Sequence, residues 1–277
     1  MQCVSFVRWP TATASLLFEA LAALWSPYTW AVVRRNTRVW RAYLWASLIG
    51  NLGEPLLYLA AIGFGIGTLL GPEGIGGVRY DVYLAPGILV STAMYTAVFE
   101  CTFGSFTRMK PQKTFDAILS TPVTPVELAA GEVLSAAMKS GVGAAIVLAV
   151  IAAFGLVQSP LAVLTIPLGL VVGFSFGALG LVVAALSPDY SFFNYFFTLV
   201  VAPMFLLSGI FFPVETLPDW AVVLSHAFPL THAVRISRAL TLGVPEPALL
   251  AHLAVLFAGG VAATALAAHL LRRRLIP

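Results

Sequence analysis

The sequence predicts an all-α integral membrane protein with six transmembrane helices, and three observations predict it. Hydrophobic residues make up 60% of the 277 residues and charged residues only 10%, against roughly 25% charged in soluble domains. No Asp, Glu, Lys or Arg occurs between Lys139 and Asp189, between Asp189 and Glu215, or between Glu246 and Arg272. A bilayer crossing takes about 20 residues at about 1.5 Å of rise each, so these runs are long enough to cross and too apolar to face water. Finally, the arginines gather at the ends of apolar runs, which is the pattern of membrane orientation. The net charge of +3 therefore implies no nucleic-acid partner.

The elements follow in chain order. Arg8 and the apolar patch Leu16 to Leu24 faintly resemble a signal peptide, but Glu19 interrupts the patch and no basic segment opens it, so a cytoplasmic tail is expected. Cys3 lies in that tail and Cys101 in an apolar run, which gives no disulfide framework. Ser26-Pro27 reads as a helix cap followed by proline at the first helical position. From there Arg34, Arg38 and Arg41 share one helical face, and Val33, Trp40 and Leu44 another. That spacing predicts an amphipathic helix at the membrane surface; the alternative is a long basic start to the first span. Residues 1–41 thus form the tail and interface helix, and 42–277 the transmembrane domain.

The six spans are expected near Ala42 to Leu69, Leu84 to Phe106, Val133 to Val157, Leu161 to Leu186, Phe192 to Phe212 and Ala248 to Leu271. Gln158-Ser159-Pro160 is the turn that divides the long uncharged stretch. Three basic groups share one side if six helices alternate: Arg34, Arg35, Arg38 and Arg41; Arg108, Lys110 and Lys113; and Arg272 to Arg274. That side is cytoplasmic by the positive-inside rule, which places both termini inside. Arg235 and Arg238 are the discordant pair.

Two connections look structured. Between spans two and three, Thr114 is expected to cap a short helix, about Phe115 to Ser120, with Asp116 opposing the dipole and Pro122 stopping it. Phe115, Ile118 and Leu119 give it an apolar face that needs a partner. Thr124-Pro125-Val126-Glu127 then reads as a capping box opening the next helix. On the outer side, residues 213–247 are apolar but broken by Asp219, Pro229, Arg235 and Arg238. Two short helices separated by Pro229-Leu230, forming a re-entrant hairpin between spans five and six, fit better than a seventh span.

The search for chemistry is mostly negative. No GxxxxGK[ST], HExxH, CxxC or GxSxG occurs, so the chain has no phosphate loop of its own. His226 and His232 lie near Asp219, but nothing completes a zinc set, and no metal site is expected. Glu54, in Gly50-Asn51-Leu52-Gly53-Glu54-Pro55, falls near the middle of the first span. A carboxylate there is costly unless paired or hydrated. It marks a wet cavity, a substrate contact or a helix anchor, or it is protonated and bonded for packing. Glu100 sits nearer the cytoplasmic end of its span. The aromatics from Tyr190 to Phe197, with Trp40, Tyr43, Trp45 and Tyr58, can stack on sugars, though an interfacial belt explains them more simply.

The run Ser208-Gly209-Ile210-Phe211-Phe212-Pro213, with Leu217-Pro218, Pro229-Leu230 and Arg235, resembles the signature of type-2 ABC export permeases. The order of parts does too. Glu54-Pro55-Leu56-Leu57-Tyr58, Gly63-Phe64-Gly65 and Leu119-Ser120-Thr121-Pro122-Val123 resemble the branch exporting nodulation factors, which are lipo-chitooligosaccharides. The resemblance covers nearly all of the chain from Ser26 on. It implies a homodimer in the bacterial inner membrane with two copies of a separate ATPase, which holds the ATP and Mg while this chain holds no cofactor. It also implies that the short helix is a coupling helix, with Phe115, Asp116, Ile118 and Leu119 at the ATPase and Arg34 and Arg38 beside it. Glu54, Tyr58 and Glu100 become substrate-pathway candidates for an amphiphilic, lipid-like cargo. The rival readings are an intramembrane lipid-modifying enzyme using Glu54 and the outer histidines, and an ion-coupled carrier, which would show inverted repeats.

Overall fold

A computed structural model describes residues 13–44, 53, 55, 57–71, 74–244 and 246–276 of the chain. Among the described residues the regular structure is helical. In order the helices are α1 (Thr13–Ala23), α2 (Pro27–Ala42), α3 (Leu59–Leu70), α4 (Tyr80–Met109), α5 (Thr114–Leu119), α6 (Pro125–Ala153), α7 (Pro160–Leu186), α8 (Ser191–Leu207), α9 (Asp219–Ala227), α10 (Pro229–Leu242) and α11 (Leu249–Leu275).

Four of these, α4, α6, α7 and α11, are long and apolar enough to cross a membrane, and a fifth crossing is counted if α1 and α2, which meet at 58°, act as one span. The chain is a multi-pass membrane protein. The four long helices match the second, third, fourth and sixth expected spans. α8 matches the fifth but is shorter. The first expected span is represented by α3, because residues 45–52, Glu54 and Leu56 lie outside the described residues.

Local chemistry sets the helix ends. Ser26 accepts from the Tyr28 N–H at the start of α2, with Pro27 at the first position. Thr124 and Glu127 form the expected capping box at α6. At α5 the expectation needs correction. Thr114 is the first helical residue and not its cap, because Lys113 before it takes a left-handed conformation, φ 50°, without a side-chain bond to the helix.

α7 lies in the centre, against α4, α6 and α11. Small residues let the backbones approach, as in membrane packing generally. A Cβ on Gly173 would stand 2.5 Å from the Ser140 Cβ, and one on Gly169 2.5 Å from the Ala144 Cβ. α2 packs on α6 by the same device, since a Cβ on Gly131 would stand 2.6 Å from Val32. α1 was expected as tail; it packs on α11 and α6 instead, with Ala20 and Ala23 buried.

The three basic groups meet at one end of the bundle. Arg274 donates to the Ala184 and Ala185 carbonyls at the end of α7, at 3.1 and 2.7 Å, and lies over the Phe106 ring of α4. Cations belong at such carbonyl ends. α2 reaches the same end through Asn36 and Glu132.

The opposite end is closed by α9 and α10. The turn at residues 209–211 is held from both sides. Arg238 donates to the Gly209 carbonyl at 2.8 Å and lies 3.8 Å over the Tyr83 ring. Tyr80 donates to the Phe211 carbonyl at 3.1 Å, and Ser237 to that of Pro86 at 2.9 Å. Arg235 faces Glu215 at 3.6 Å. The two discordant arginines are thus engaged locally. His232 and His252 join α10 to α11 through their Nδ1 atoms, 2.7 Å apart, one donating and one accepting. Burial pushes the His232 imidazole below its usual range, and the neighbouring His252 adds to this.

Candidate functional site

The basic end holds a buried cluster of four charges drawn from two long helices. α4 supplies Glu100 and Arg108, and α6 supplies Glu132 and Lys139. Arg108 reaches Glu132 at 2.6 Å and Glu100 at 2.9 Å, and Lys139 reaches Glu100 at 2.7 Å. Glu132 is fully buried. Its Oε1 accepts from Asn36 of α2 at 2.7 Å, and its Oε2 from Ser105 at 2.8 Å and from the Arg108 Nε at 2.9 Å. Lys139 stands 5.9 Å from the ring centres of both Trp40 and Tyr43. α2, α4 and α6 are therefore tied by one network.

Burying a lone charge at this depth costs several kcal/mol. The cluster escapes that cost because two cations balance two carboxylates and each oxygen of Glu132 accepts a hydrogen bond. Helix geometry makes the balance possible. Glu132 and Lys139 are seven residues apart, which is two turns to within about 20°. Glu100 and Arg108 are eight apart and would diverge on a regular helix. A π-helical segment, Glu100–Gly104, absorbs the extra residue, so both side chains reach the same cluster.

α5 follows directly on this end of α4 and touches α4 and α6. Its Phe115 is fully buried, and Ile118 and Leu119 are half-buried against the core. The apolar face is thus covered within the chain, and the outward face is Asp116, Ala117 and Ser120. Arg34 and Arg38 are exposed on α2. Glu100 is engaged in the cluster. Glu54 lies outside the described residues.

Tyr58 lines a second feature, an aromatic cleft of about 710 Å³ between α3, the start of α4, α8 and the 211–212 turn. Its ring lies 5.8 Å from that of Phe205 and 6.3 Å from that of Phe211, and Phe205 lies 5.7 Å from Tyr95. The aromatics of 190–197 are elsewhere: Phe197 stacks on Phe99 of α4, while Phe193 and Tyr190 meet Phe103 and Phe106 of α4 edge-on, near the charge cluster. Among the described residues, no group of three His, Cys, Asp or Glu side chains is placed to hold a metal.

Sequence reasoning missed Glu132, Lys139 and Asn36. The signal was present, since a Glu and a Lys seven apart within an apolar helix fall on one face. Their partners on α4 and α2 are far in sequence and could not be read.

A bundle of long apolar helices with a buried charge cluster at one end and an aromatic cleft in its side is the architecture of a multi-pass membrane protein. The chain belongs to the ABC-2 type transporter family, whose model matches residues 27–242. It is similar to nodulation protein J of Sinorhizobium fredii, 35% identical over 91% of this chain and 95% of that protein. It is also similar to nodulation protein J of Rhizobium meliloti, 36% identical over 89% and 94%. The resemblance to the nodulation-factor branch therefore stands, and so does the reading of the chain as the membrane subunit of an exporter. The family is one of transport subunits, which is consistent with a chain that is not catalytic by itself.

Proposed function

We propose that this chain is the permease of an ATP-driven exporter that moves an amphiphilic, lipid-linked cargo such as a lipooligosaccharide outward. Two copies form a homodimer in the bacterial inner membrane, each served by a separate ATP-binding cassette ATPase that carries the ATP and Mg. In this reading α3 belongs to the first of six spans and α8 is the fifth. The basic end and both termini face the cytoplasm, and α9 and α10 form a re-entrant hairpin at the outer face. Exposed apolar residues on α3 and α8, among them Leu69, Tyr195 and Leu199, supply surface for the second copy. The resemblance to the nodulation-factor branch favours an acylated oligosaccharide as cargo, with the aromatic cleft beside Tyr58 on its path.

The observation that carries the proposal is the charge cluster beside α5. An ATPase that moves α5 moves Phe115, which is locked into the core, and with it the end of α4 that holds Arg108. Because Arg108 ties α4 to α6, and Glu132 ties α6 to α2, the three helices shift as one body. Coupling then works through the outward residues of α5, with Arg34 and Arg38 of α2 at the rim, while Phe115, Ile118 and Leu119 transmit the motion. The test is co-purification of the ATPase with Ala117→Trp, a change at an exposed position. Expected is loss of the ATPase and of transport with membrane insertion intact. Retention of the ATPase at wild-type level overturns the coupling assignment.

A further inference from the structure

The charge cluster has an open side, where a cavity of about 370 Å³ lies between α2, the end of α4 and the middle of α6. That volume is within the roughly 300–1,000 Å³ of small-molecule sites. Its charged lining is Arg35, Arg108 and Lys139, and no carboxylate lines it. The carboxylates nearest it, Glu100 and Glu132, sit behind Arg108 and Lys139 and are bonded to them. Three cations against two carboxylates leave one unit of positive charge facing the cavity. Lys139 gives one ammonium N–H to Glu100, and Arg35 gives one guanidinium N–H to Asn36 at 2.9 Å. Each keeps further donors, since an ammonium has three and a guanidinium five. Val39 and Tyr43 also line the cavity and are 49% and 45% exposed. One wall is therefore cationic and the rim apolar.

We infer that this cavity binds the headgroup of a monoanionic amphiphile, a phosphate diester or sulfate ester, over Arg35 and Lys139, with its acyl chain against Val39 and Tyr43. A monoanion neutralises the excess charge, whereas a zwitterion brings a second cation to a wall already positive. An oxyanion also matches the planar donor edge of Arg35. The amphiphile is a membrane lipid or the cargo itself. The inference rests on the proposed reading only for α2 lying at the membrane surface, and not on the ATPase.

The experiment is native mass spectrometry of the full chain released from phosphatidylcholine nanodiscs containing phosphatidylglycerol. Wild type is expected to retain phosphatidylglycerol over phosphatidylcholine, and Arg35→Gln to lose about tenfold of that preference, as loss of one charge-assisted hydrogen bond implies. Arg35→Lys restores most of it. Equal retention of the two lipids by wild type overturns the inference, and so does an Arg35→Gln chain that retains phosphatidylglycerol like wild type. A second arm adds an N-acylated oligosaccharide with or without a sulfate ester. Displacement of the lipid by the sulfated form alone supports the site and identifies the cargo as its occupant. No displacement by either supports the site with the lipid as occupant. Equal displacement by both removes the role of charge and overturns the inference. None of these readouts involves ATPase retention, so the coupling assignment stands or falls separately.

Discussion

Glu132 is the residue on which most depends, because its two carboxylate oxygens gather donors from two other helices, α2 and α4, at 2.6–2.9 Å. Replacing it by Ala leaves Arg108 and Asn36 without those bonds at a largely buried site. The expected loss is about 3–5 kcal/mol, the usual cost of breaking a buried pair from one side, read as a lowered unfolding temperature in detergent. The double change Glu132→Ala with Arg108→Met removes both charges, so it is expected to cost less than the two singles together. Additive losses would show that the two residues do not interact. The sequence made the single charges visible, and Glu54 and Glu100 drew attention because carboxylates are rare in apolar runs. It did not show their pairing, because Glu100 meets Lys139 and Arg108 meets Glu132 only after α4 and α6 have packed.

At the scale of elements, the caps and breaks were legible and the helical irregularities were not. Ser26-Pro27, the Thr124 box and Pro229 act within a few residues, so local sequence decides them. The π-helical segment of α4 has no such local cause; the pull of Arg108 into the cluster stabilises it. The turn at residues 209–211 lies between these cases. Gly209 has φ 78°, a left-handed conformation that costs another residue about 1–2 kcal/mol, and an added Cβ would stand 2.8 Å from Val214. Gly209→Ala is therefore expected to loosen the turn that Arg238 and Tyr80 grip, seen as faster hydrogen exchange across residues 209–217. Unchanged exchange would mean that the grip outweighs the strain.

Across the whole molecule, cohesion comes from close backbone approach, since lipid supplies no hydrophobic drive between helices. Gly173→Val is expected to force α6 from α7 and lower stability by about 1–3 kcal/mol, as overpacking generally does. Thermal unfolding of the purified chain measures it, and a wild-type midpoint would show that the interface yields. The helical class and the long spans were read from charge-free runs, which are a property of the whole chain. The first span was not recovered at full length: only α3 of it is described, and its carboxylate, Glu54, lies outside the described residues. The docking of α1 on α11 has its own consequence. α1 packs against α6 as well as α11, so its seat is complete only once the last of the described helices is in place. A chain cut short before Leu249 would lose α11 and leave α1 held by α6 alone, a half-made seat that quality-control proteases can open.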